Sequence, residues 1–240
     1  MTLAHTTALV TGGGTGIGRA IAEALADRGS RVAVAGRRQE VLLQVVQARP
    51  QILCHRVDVA DRLSVERLVC WATDALGRID VLVNAAGINI PNRTMAAMEP
   101  DQWDQVLAIN ATGAYNCMRA VLPQMRQRRS GTIINIGSVA GRRAVDVAGL
   151  AYCASKFAMA ALGTFVANEE AANSIRITSI HPGEVNTPLL DDRPVAVSDQ
   201  HKARILQPQD IGAVVACLVG LPQHVHVPEL IIKPTGHRFV

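Results

Sequence analysis

The sequence predicts an α/β fold in which a parallel sheet of about seven strands lies between two layers of helices. Short β-branched apolar runs alternate along the chain with longer segments of helical period. The 240 residues are 49% hydrophobic but only 3% aromatic, so we expect a core of Ala, Val, Leu and Ile. Such a core is typical of buried parallel strands and the helices packed on them. No linker or repeat interrupts the pattern, and residues 1–240 are expected to form one domain.

Seven strands are predicted from the apolar runs, and five helices from apolar residues spaced three and four apart. The predicted strands are Thr7–Val10, Arg31–Ala35, Ile52–Val57, Val81–Asn84, Thr132–Ile136, Arg176–Ile180 and Leu230–Ile232. The predicted helices are Gly16–Arg28, Gln39–Ala48, Ser64–Leu76, Gln102–Arg128 and Ala151–Ala172. Because parallel strands are joined by right-handed crossovers, this alternation predicts a three-layer, doubly wound Rossmann fold.

Charge and cysteine usage exclude several classes of function. The formal net charge is only +4, and the basic residues are scattered apart from Arg126, Arg128 and Arg129. No basic stripe or nucleic-acid-binding module is present, so nucleic-acid binding is not expected. The five cysteines are widely spaced and form no CxxC motif, which predicts reduced thiols and no bound metal.

The start of the chain is not expected to be a signal peptide. Residues Met1 to Val10 lack the basic region of a signal peptide. The longest apolar stretch, Ile211–Leu221, is too short to span a bilayer. We therefore expect a soluble cytoplasmic protein that does not contact a membrane.

The segment 188–207 differs from the rest of the chain because it is rich in charged residues and has no clean period. In a parallel α/β sheet, ligands bind at the carboxyl ends of the strands, and loops cover them there. We expect this segment to cover a substrate.

A glycine-rich turn follows the first predicted strand and precedes the first helix. Glycine lets the backbone turn sharply and approach a pyrophosphate, and the helix N-terminus offers free N–H groups to the anion. A glycine-rich turn without a ligand is the alternative, but its position between strand and helix favours dinucleotide binding. The predicted cofactor-binding residues of this turn are Gly12, Gly14, Thr15, Gly16, Ile17 and Gly18.

The second predicted strand ends in Arg37-Arg38, with no acidic residue before Glu40. An acidic residue at this position would bind the ribose 2′-hydroxyl of NAD, whereas arginine suits the 2′-phosphate of NADP. We therefore expect NADP(H) as cofactor, NAD(H) being less favoured, and Arg37 to contribute more than Arg38. The alternative is that both arginines only begin an exposed helix.

Tyr152 and Lys156 are four residues apart at the start of a predicted helix, which puts both on one face. A phenol has a pKa near 10 and transfers protons poorly at neutral pH. An ammonium roughly 5 Å away would stabilise the phenolate by about 3 kcal/mol at an effective dielectric constant of ~20, or around two pKa units. The pair thus predicts a general acid/base, although a Y-x-x-x-K match alone is weak.

Together these motifs resemble the short-chain dehydrogenase/reductase family. The turn Thr11 to Gly18 is similar to its cofactor motif, and Tyr152 with Lys156 to its catalytic pair. The resemblance implies that Asn110 holds a water linked to the lysine and that Ser138 hydrogen-bonds the substrate carbonyl. It implies further cofactor contacts from Asp58 and Val59 at the adenine, from the N-A-A-G motif (Asn84, Ala85, Gly87), and from the P-G-x-V-x-T motif (Pro182, Gly183, Val185, Thr187).

The C-terminal part is similar to the branch with clavulanate dehydrogenase and NADP-dependent serine or hydroxy-acid dehydrogenases. It lacks the glycine-rich finish common in the family, and the 14-residue step from Ser138 to Tyr152 looks one residue longer than usual. The resemblance implies hydride transfer between NADP(H) and the carbonyl or secondary alcohol of a small substrate. It also implies a homodimer or homotetramer. Candidate pocket residues are Asn89, Ile90, Arg142, Arg143, Cys153 and Glu184.

Two alternatives from other classes stay open. One is an NADP-binding regulatory or interaction protein without turnover, which the intact set of Asn110, Ser138, Tyr152 and Lys156 disfavours. The other is a carbohydrate-nucleotide epimerase, which shares the Tyr–Lys spacing. Only 53 residues follow Thr187, which leaves little room for the larger substrate domain of that class. His181 is expected to be a packed histidine rather than a catalytic base.

Overall fold

The computed structural model describes residues 2–237 and contains one seven-stranded parallel sheet in the order β3-β2-β1-β4-β5-β6-β7. Its strands are β1 (Thr7–Thr11), β2 (Arg31–Gly36), β3 (Ile52–Arg56), β4 (Val81–Asn84), β5 (Gly131–Ile136), β6 (Ile175–Pro182) and β7 (Glu229–Ile232). The predicted three-layer Rossmann fold is confirmed, with strand ends that differ from the prediction by one or two residues.

Within residues 2–237, eight α-helices connect the strands. They are α1 (Gly16–Asp27), α2 (Gln39–Ala48), α3 (Arg62–Leu76), α4 (Pro100–Leu107), α5 (Gly113–Arg128), α6 (Leu150–Glu170), α7 (Asp199–Lys202) and α8 (Pro208–Val219). A π-helical turn (Ala108–Thr112) joins α4 to α5, and 3₁₀ turns span Val139–Gly141, Ala171–Asn173 and Pro188–Asp192.

Alternation along each strand divides the core between the two faces of the sheet. On β1, Leu9 packs on one face with Leu68 of α3 and Met118 of α5. Ala8 and Val10 point to the other face, where Ile21 of α1 and Val215 of α8 pack. Both faces are therefore covered by helices, as a parallel sheet requires.

The order of the strands reverses beside β1, which pairs with β2 on one side and β4 on the other. The crossovers leading to β2 and β4 run in opposite directions, so their connecting loops separate and leave a crevice at the carboxyl ends. The predicted cofactor motifs follow strands at this edge, whereas Asn110 lies in the π-helical turn and Tyr152 and Lys156 lie in α6.

Two helical predictions need correction. The single helix predicted for Gln102–Arg128 starts two residues earlier and contains the π-helical turn, in which each carbonyl accepts one residue farther along the chain. Helix α8 was not predicted as a helix, although its apolar run was noted. It packs closely on α1 at Gly212. A Cβ atom added at Gly212 would lie only 2.7 Å from the Ala20 oxygen.

Helix α6 and its 3₁₀ turn, Leu150–Asn173, are long and apolar enough to cross a membrane by length and composition. The expectation that no stretch reaches this length was therefore wrong. Half of the most apolar window is buried inside the protein, where α6 packs on β6. A buried core helix meets the same criterion of length and composition.

Candidate active site

The crevice forms a cleft of about 500 Å³ that runs across the carboxyl ends of the strands. Most of the predicted site residues line it: Gly12, Gly14, Thr15, Gly16, Ile17, Gly18, Arg37, Arg38, Asp58, Val59, Ala85, Gly87, Tyr152, Lys156 and Thr187. Ile88, Ile109 and Gly137 also line the cleft and were not predicted as site residues, whereas the lining residues Leu189 and Asp192 belong to the segment 188–207 that was expected to cover a substrate. The cleft therefore joins a glycine-rich end to an end that contains Tyr152.

The glycine-rich end is shaped by backbone approach. Gly12 has φ +67°, and a Cβ atom added there would lie 2.6 Å from the Ala85 oxygen. Gly18 lies against the backbone of Gly12. Thr15 precedes α1 without capping it through its side chain, and no acidic residue occupies the first turn. The free N–H groups and partial positive charge of this helix end fit a pyrophosphate.

Arg37 and Arg38 line the cleft beyond the end of β2, and both are exposed. Asp58 and Val59 line the cleft beyond β3. The Asp58 carboxylate accepts from the Ala60 amide at 3.0 Å, so it closes a local turn. The residue that caps α3 is Asp61, which accepts from Leu63. Asp58 therefore does not cap α3.

Tyr152 and Lys156 lie in the first two turns of α6. The Lys156 ammonium is 5.5 Å from the centre of the Tyr152 ring and donates to the Ile136 carbonyl at 2.8 Å. Burial raises the pKa of Tyr152 to about 12 and lowers that of Lys156 to about 8. The expected fall in the phenol's pKa is not found, because desolvation of the phenolate outweighs the lowering effects of the Ser138 hydrogen bond and of the Arg93 charge.

Ser138 follows β5 and lies beside Tyr152. Its hydrogen bond with the tyrosine lowers the pKa of the phenol, against the larger effect of burial. The Ser138 oxygen also accepts from the Ala140 amide at 3.1 Å, which fixes the hydroxyl at the start of a 3₁₀ turn. Ser138 thus supplies a donor next to the phenol.

His181 lies behind Ser138 and is fully buried. Its Nδ1 is 3.1 Å from the Ser138 carbonyl, which can only accept, so Nδ1 carries the proton. Burial lowers the pKa of His181, and the nearby Arg142 lowers it further. His181 is therefore a neutral, packed histidine that supports the backbone of Ser138.

Asn110 lies in the π-helical turn and is fully buried. Its side chain donates to the Ile88 carbonyl at 2.9 Å and accepts from the Ile88 amide at 2.8 Å. It also donates to the hydroxyl of Ser155 at 3.0 Å. π-Helical turns often mark functional sites, and here the turn joins the segment after β4 to α6. Gly87 lies between Asn110 and Lys156, where an added Cβ would lie 3.4 Å from the amide oxygen and 3.6 Å from the ammonium.

Several predicted residues are not among those that line the cleft. Asn84 is buried and donates to Asn135 at 2.9 Å, which ties β4 to β5. The amide of Gly183 donates to the Ile232 carbonyl at 2.7 Å, and Val185 bridges to Leu206. The predicted residues outside the wall are Asn84, Asn110, Ser138, Pro182, Gly183 and Val185.

The candidate pocket residues lie around the Tyr152 end, but mostly in contact with protein. Glu184 forms an ion pair with Arg193 at 2.6 Å and a hydrogen bond with His201 at 2.8 Å, and both contacts hold segment 188–207 on the end of β6. Asn89 donates to the Ala148 carbonyl at 3.0 Å. Ile90 and Cys153 are buried, Arg142 pairs with Glu229, and Arg143 is exposed.

Comparison with known proteins assigns this site to a class. The sequence profile described as short chain dehydrogenase matches residues 6–196. The chain therefore belongs to the short-chain dehydrogenase family. An uncharacterized oxidoreductase of Listeria monocytogenes is 32% identical, over 98% of this chain and 99% of the relative. The family predicted from the sequence is confirmed, and the chain is an oxidoreductase of this family.

Solved structures support the same assignment. An alcohol dehydrogenase of the archaeon Thermococcus sibiricus, complexed with 5-hydroxy-NADP, superposes with a TM-score of 0.87 at 26% identity over 98% of this chain and 99% of that chain. Serine dehydrogenase in its closed form with NADP+ gives a TM-score of 0.88 at 29% identity over 98% and 97%. Serine dehydrogenase belongs to the branch that the C-terminal part of this sequence resembles.

Proposed function

We propose that this chain is an NADP(H)-dependent oxidoreductase that interconverts a carbonyl and a secondary alcohol on a small substrate. The observation that carries the proposal is one cleft with Tyr152 and Lys156 at one end and the glycine cradle with Arg37 at the other. The cofactor would supply the hydride. The protein would supply binding, orientation and a proton.

Tyr152 is the proposed proton donor to the carbonyl oxygen. With a pKa of about 12, its phenol is protonated at neutral pH and holds the required proton. Ser138 lies beside the phenol and would donate a second hydrogen bond to the same oxygen, which stabilises negative charge developing there. In the direction of alcohol oxidation, the phenol must first lose its proton. That step is favoured by positive charge close to Tyr152.

Lys156 and Asn110 are proposed to restore the proton to Tyr152. The pKa of Lys156, about 8, lies between neutral pH and that of the phenol, so its ammonium can give up a proton near neutrality. Asn110 holds the backbone of Ile88, and its amide oxygen and the Lys156 ammonium would lie 3.4 and 3.6 Å from a Cβ atom added at Gly87. These groups would line a path for a proton from solvent. Lys156 would also bind the ribose hydroxyls of the cofactor.

The preference for NADP(H) is proposed from charge at the end of β2. Arg37 and Arg38 lie in the cleft wall where the ribose of a dinucleotide is bound in doubly wound folds. The acidic residues lining the described part of the cleft are Asp58 and Asp192, neither of which follows β2. Both solved relatives described above carry NADP-type ligands. Asp58 and Val59 would contact the adenine.

Binding of NADPH and NADH to wild type and to Arg37→Asp tests the proposal directly. One charge-assisted hydrogen bond contributes about 1.5–3 kcal/mol, so we expect NADPH affinity to fall on the order of 10- to 150-fold. NADH binding should change little or improve. Arg62→Asp on α3 makes the same charge change at an exposed site and should leave both affinities unchanged.

Other outcomes would revise the proposal. Equal affinity for NADH and NADPH in wild type would reduce Arg37 to a surface charge. No binding of either nucleotide would refute the oxidoreductase proposal. If NADPH binds, a panel of small carbonyl compounds is assayed by the absorbance of NADPH.

The proposed assembly is a homodimer or homotetramer built through the helices that carry Asn110 and Tyr152. Phe157 and Phe165 project from α6 and are 43% and 71% exposed, a large apolar surface for an isolated subunit. A monomer in sedimentation at micromolar concentration would contradict this proposal. We also propose a cytoplasmic location, in keeping with five free cysteines, and a single domain in which segment 188–207 covers the substrate.

A further inference from the structure

Arg93 is a buried arginine that none of the sequence motifs includes. It lies nine residues beyond β4, within Asn92-Arg93-Thr94, and is only 9% exposed. A buried guanidinium is unfavourable unless its N–H groups are hydrogen-bonded, so its partners indicate what it does.

The guanidinium donates to backbone carbonyls from three separate segments. Nε donates to Ile90 at 3.0 Å, within the segment that follows β4. One terminal nitrogen donates to Val147, in the loop that precedes α6. The other donates to Asp192 at 2.9 Å, at the end of the 3₁₀ turn Pro188–Asp192. The three segments are far apart in sequence and meet at this one side chain.

The backbone of Arg93 holds the start of the tyrosine helix. Its carbonyl accepts from the amide of Leu150, the first residue of α6, at 2.9 Å. Gly149 precedes it with φ +83° and packs on Arg93, since an added Cβ would lie 2.6 Å from the Arg93 Cβ. Tyr152 is therefore two residues from Leu150, which bonds directly to Arg93.

Arg93 and Tyr152 also interact through charge. Burial lowers the pKa of Arg93, with a further decrease from Arg193, while Asp192 and Tyr152 act in the opposite sense. In return, Arg93 lowers the pKa of Tyr152, although burial of the phenol has the larger effect. Leu189 and Asp192 of the turn that Arg93 holds also line the cleft.

We propose that Arg93 is a positioning residue that ties turn 188–192 to the loop before α6 and so fixes the substrate wall of the cleft beside Tyr152. A planar guanidinium with donors in three directions can join three carbonyls at once, whereas the ammonium of lysine is a single point of charge. The proposal rests on the proposed function in one respect, the assignment of this end of the cleft to substrate.

Hydrogen exchange of the wild-type protein and of Arg93→Lys and Arg93→Gln tests the connection without any substrate. The amides of Leu190 and Arg193 report on the turn, because they donate within it at 3.0 and 3.2 Å. We expect their exchange to be faster by roughly tenfold or more in both variants, since charge-assisted hydrogen bonds are lost. Exchange in the glycine cradle, residues 12–18, should be unchanged. Arg62→Lys, at the exposed start of α3, is the matched control.

Kinetics separates positioning from a general loss of stability. With a carbonyl substrate from the panel, Arg93→Lys should lower kcat about tenfold or more and leave NADPH affinity within twofold of wild type. Unchanged exchange in turn 188–192 would overturn the inference. Equal loss of kcat, NADPH affinity and thermal stability would also overturn it, since that pattern indicates a structural role only. NADPH binding to wild type is measured in the same samples, and its absence would refute the proposed function while the exchange result for Arg93 stands.

Discussion

The two ends of the cleft are built in different ways. The nucleotide end consists of backbone and exposed side chains: glycines with open N–H groups, and Arg37 and Arg38 in solvent. The Tyr152 end contains buried polar side chains that are fixed by the backbone, such as Asn110 by Ile88 and Lys156 by Ile136. One end presents unpaired groups to a ligand, and the other fixes the position of a proton donor.

This difference explains why charge behaves differently at the two ends. Exposed arginines keep their charge at little cost and are available to a phosphate. In the buried end, desolvation dominates, and it moves the pKa values of Tyr152 and Lys156 towards their neutral forms. Substitutions at the two ends should therefore separate binding from proton transfer.

Tyr152→Phe should give the largest effect, because it removes the hydroxyl and leaves the ring in place. General acid/base catalysis contributes typically 10²–10⁴-fold, so kcat/KM should fall by about that factor. NADPH affinity should change less than threefold, since the glycine cradle is untouched. Steady-state kinetics and NADPH titration of the same preparation measure both quantities.

The control for this variant is Tyr115→Phe. Tyr115 is the other tyrosine of the chain, and it lies on α5 with 39% of its surface exposed. It should retain wild-type kinetics. Activity of Tyr152→Phe within threefold of wild type would remove Tyr152 from the mechanism and break the contrast between the two ends.

Lys156→Met should remove a rise in stability at alkaline pH. Folding lowers the pKa of Lys156 from its ordinary 10.5 to about 8. Between these values the unfolded chain binds more protons than the folded protein, so the free energy of unfolding rises with pH. Below pH 8, Lys156 is charged in both the folded protein and the unfolded chain, and the full cost of burying the ammonium is present. Above pH 10.5, Lys156 is neutral in both states. At 1.36 kcal/mol per pKa unit, the rise is about 3 kcal/mol.

Urea unfolding of wild type and Lys156→Met at several values of pH from 7.5 to 10.5 measures this rise. The free energy of unfolding of wild type, minus that of Lys156→Met, should increase by about 3 kcal/mol over this pH range. Lys202→Met, whose side chain is 31% exposed, should follow wild type. A constant difference for Lys156→Met would show that Lys156 is charged as readily in the folded protein as in the unfolded chain.

The contrast between the two ends also accounts for what the sequence could predict. The glycine cradle and Arg37 follow from short motifs next to strands, and the structure brings these residues together in one cleft. The fold followed from the alternation of strand and helix patterns in the same local way. At the other end of the cleft, Tyr152, Lys156 and Ser138 could be proposed because their spacing resembles a family motif.

The rest depends on contacts between distant segments. Arg93 meets Val147 and Asp192, which are 54 and 99 residues away in sequence. No periodicity or spacing relates such positions, and an arginine in a polar loop is typically exposed. The one available signal was the lengthened step from Ser138 to Tyr152, which contains Val147. The pKa of Tyr152 was mispredicted for the same reason, since burial is set by the whole fold.

Gly12→Ala compared with Gly77→Ala gives the smallest and most specific test. Both glycines have positive φ, +67° and +85°, so each substitution carries backbone strain of order 1–3 kcal/mol. At Gly77, the residue that ends α3, a Cβ would meet nothing within 4 Å. At Gly12 it would lie 2.6 Å from the backbone of Ala85 and Ala86, and such overpacking costs typically 1–3 kcal/mol more.

Chemical unfolding should therefore rank Gly12→Ala below Gly77→Ala by about 1–3 kcal/mol. NADPH affinity should fall only for Gly12→Ala, because a shift of the Ala85 backbone moves the wall of the cleft. If both variants lose the same stability and both bind NADPH normally, Gly12 is needed only for the backbone conformation of the turn after β1. The nucleotide end would then tolerate displacement of its backbone, and its binding would depend on Arg37 and the helix terminus alone.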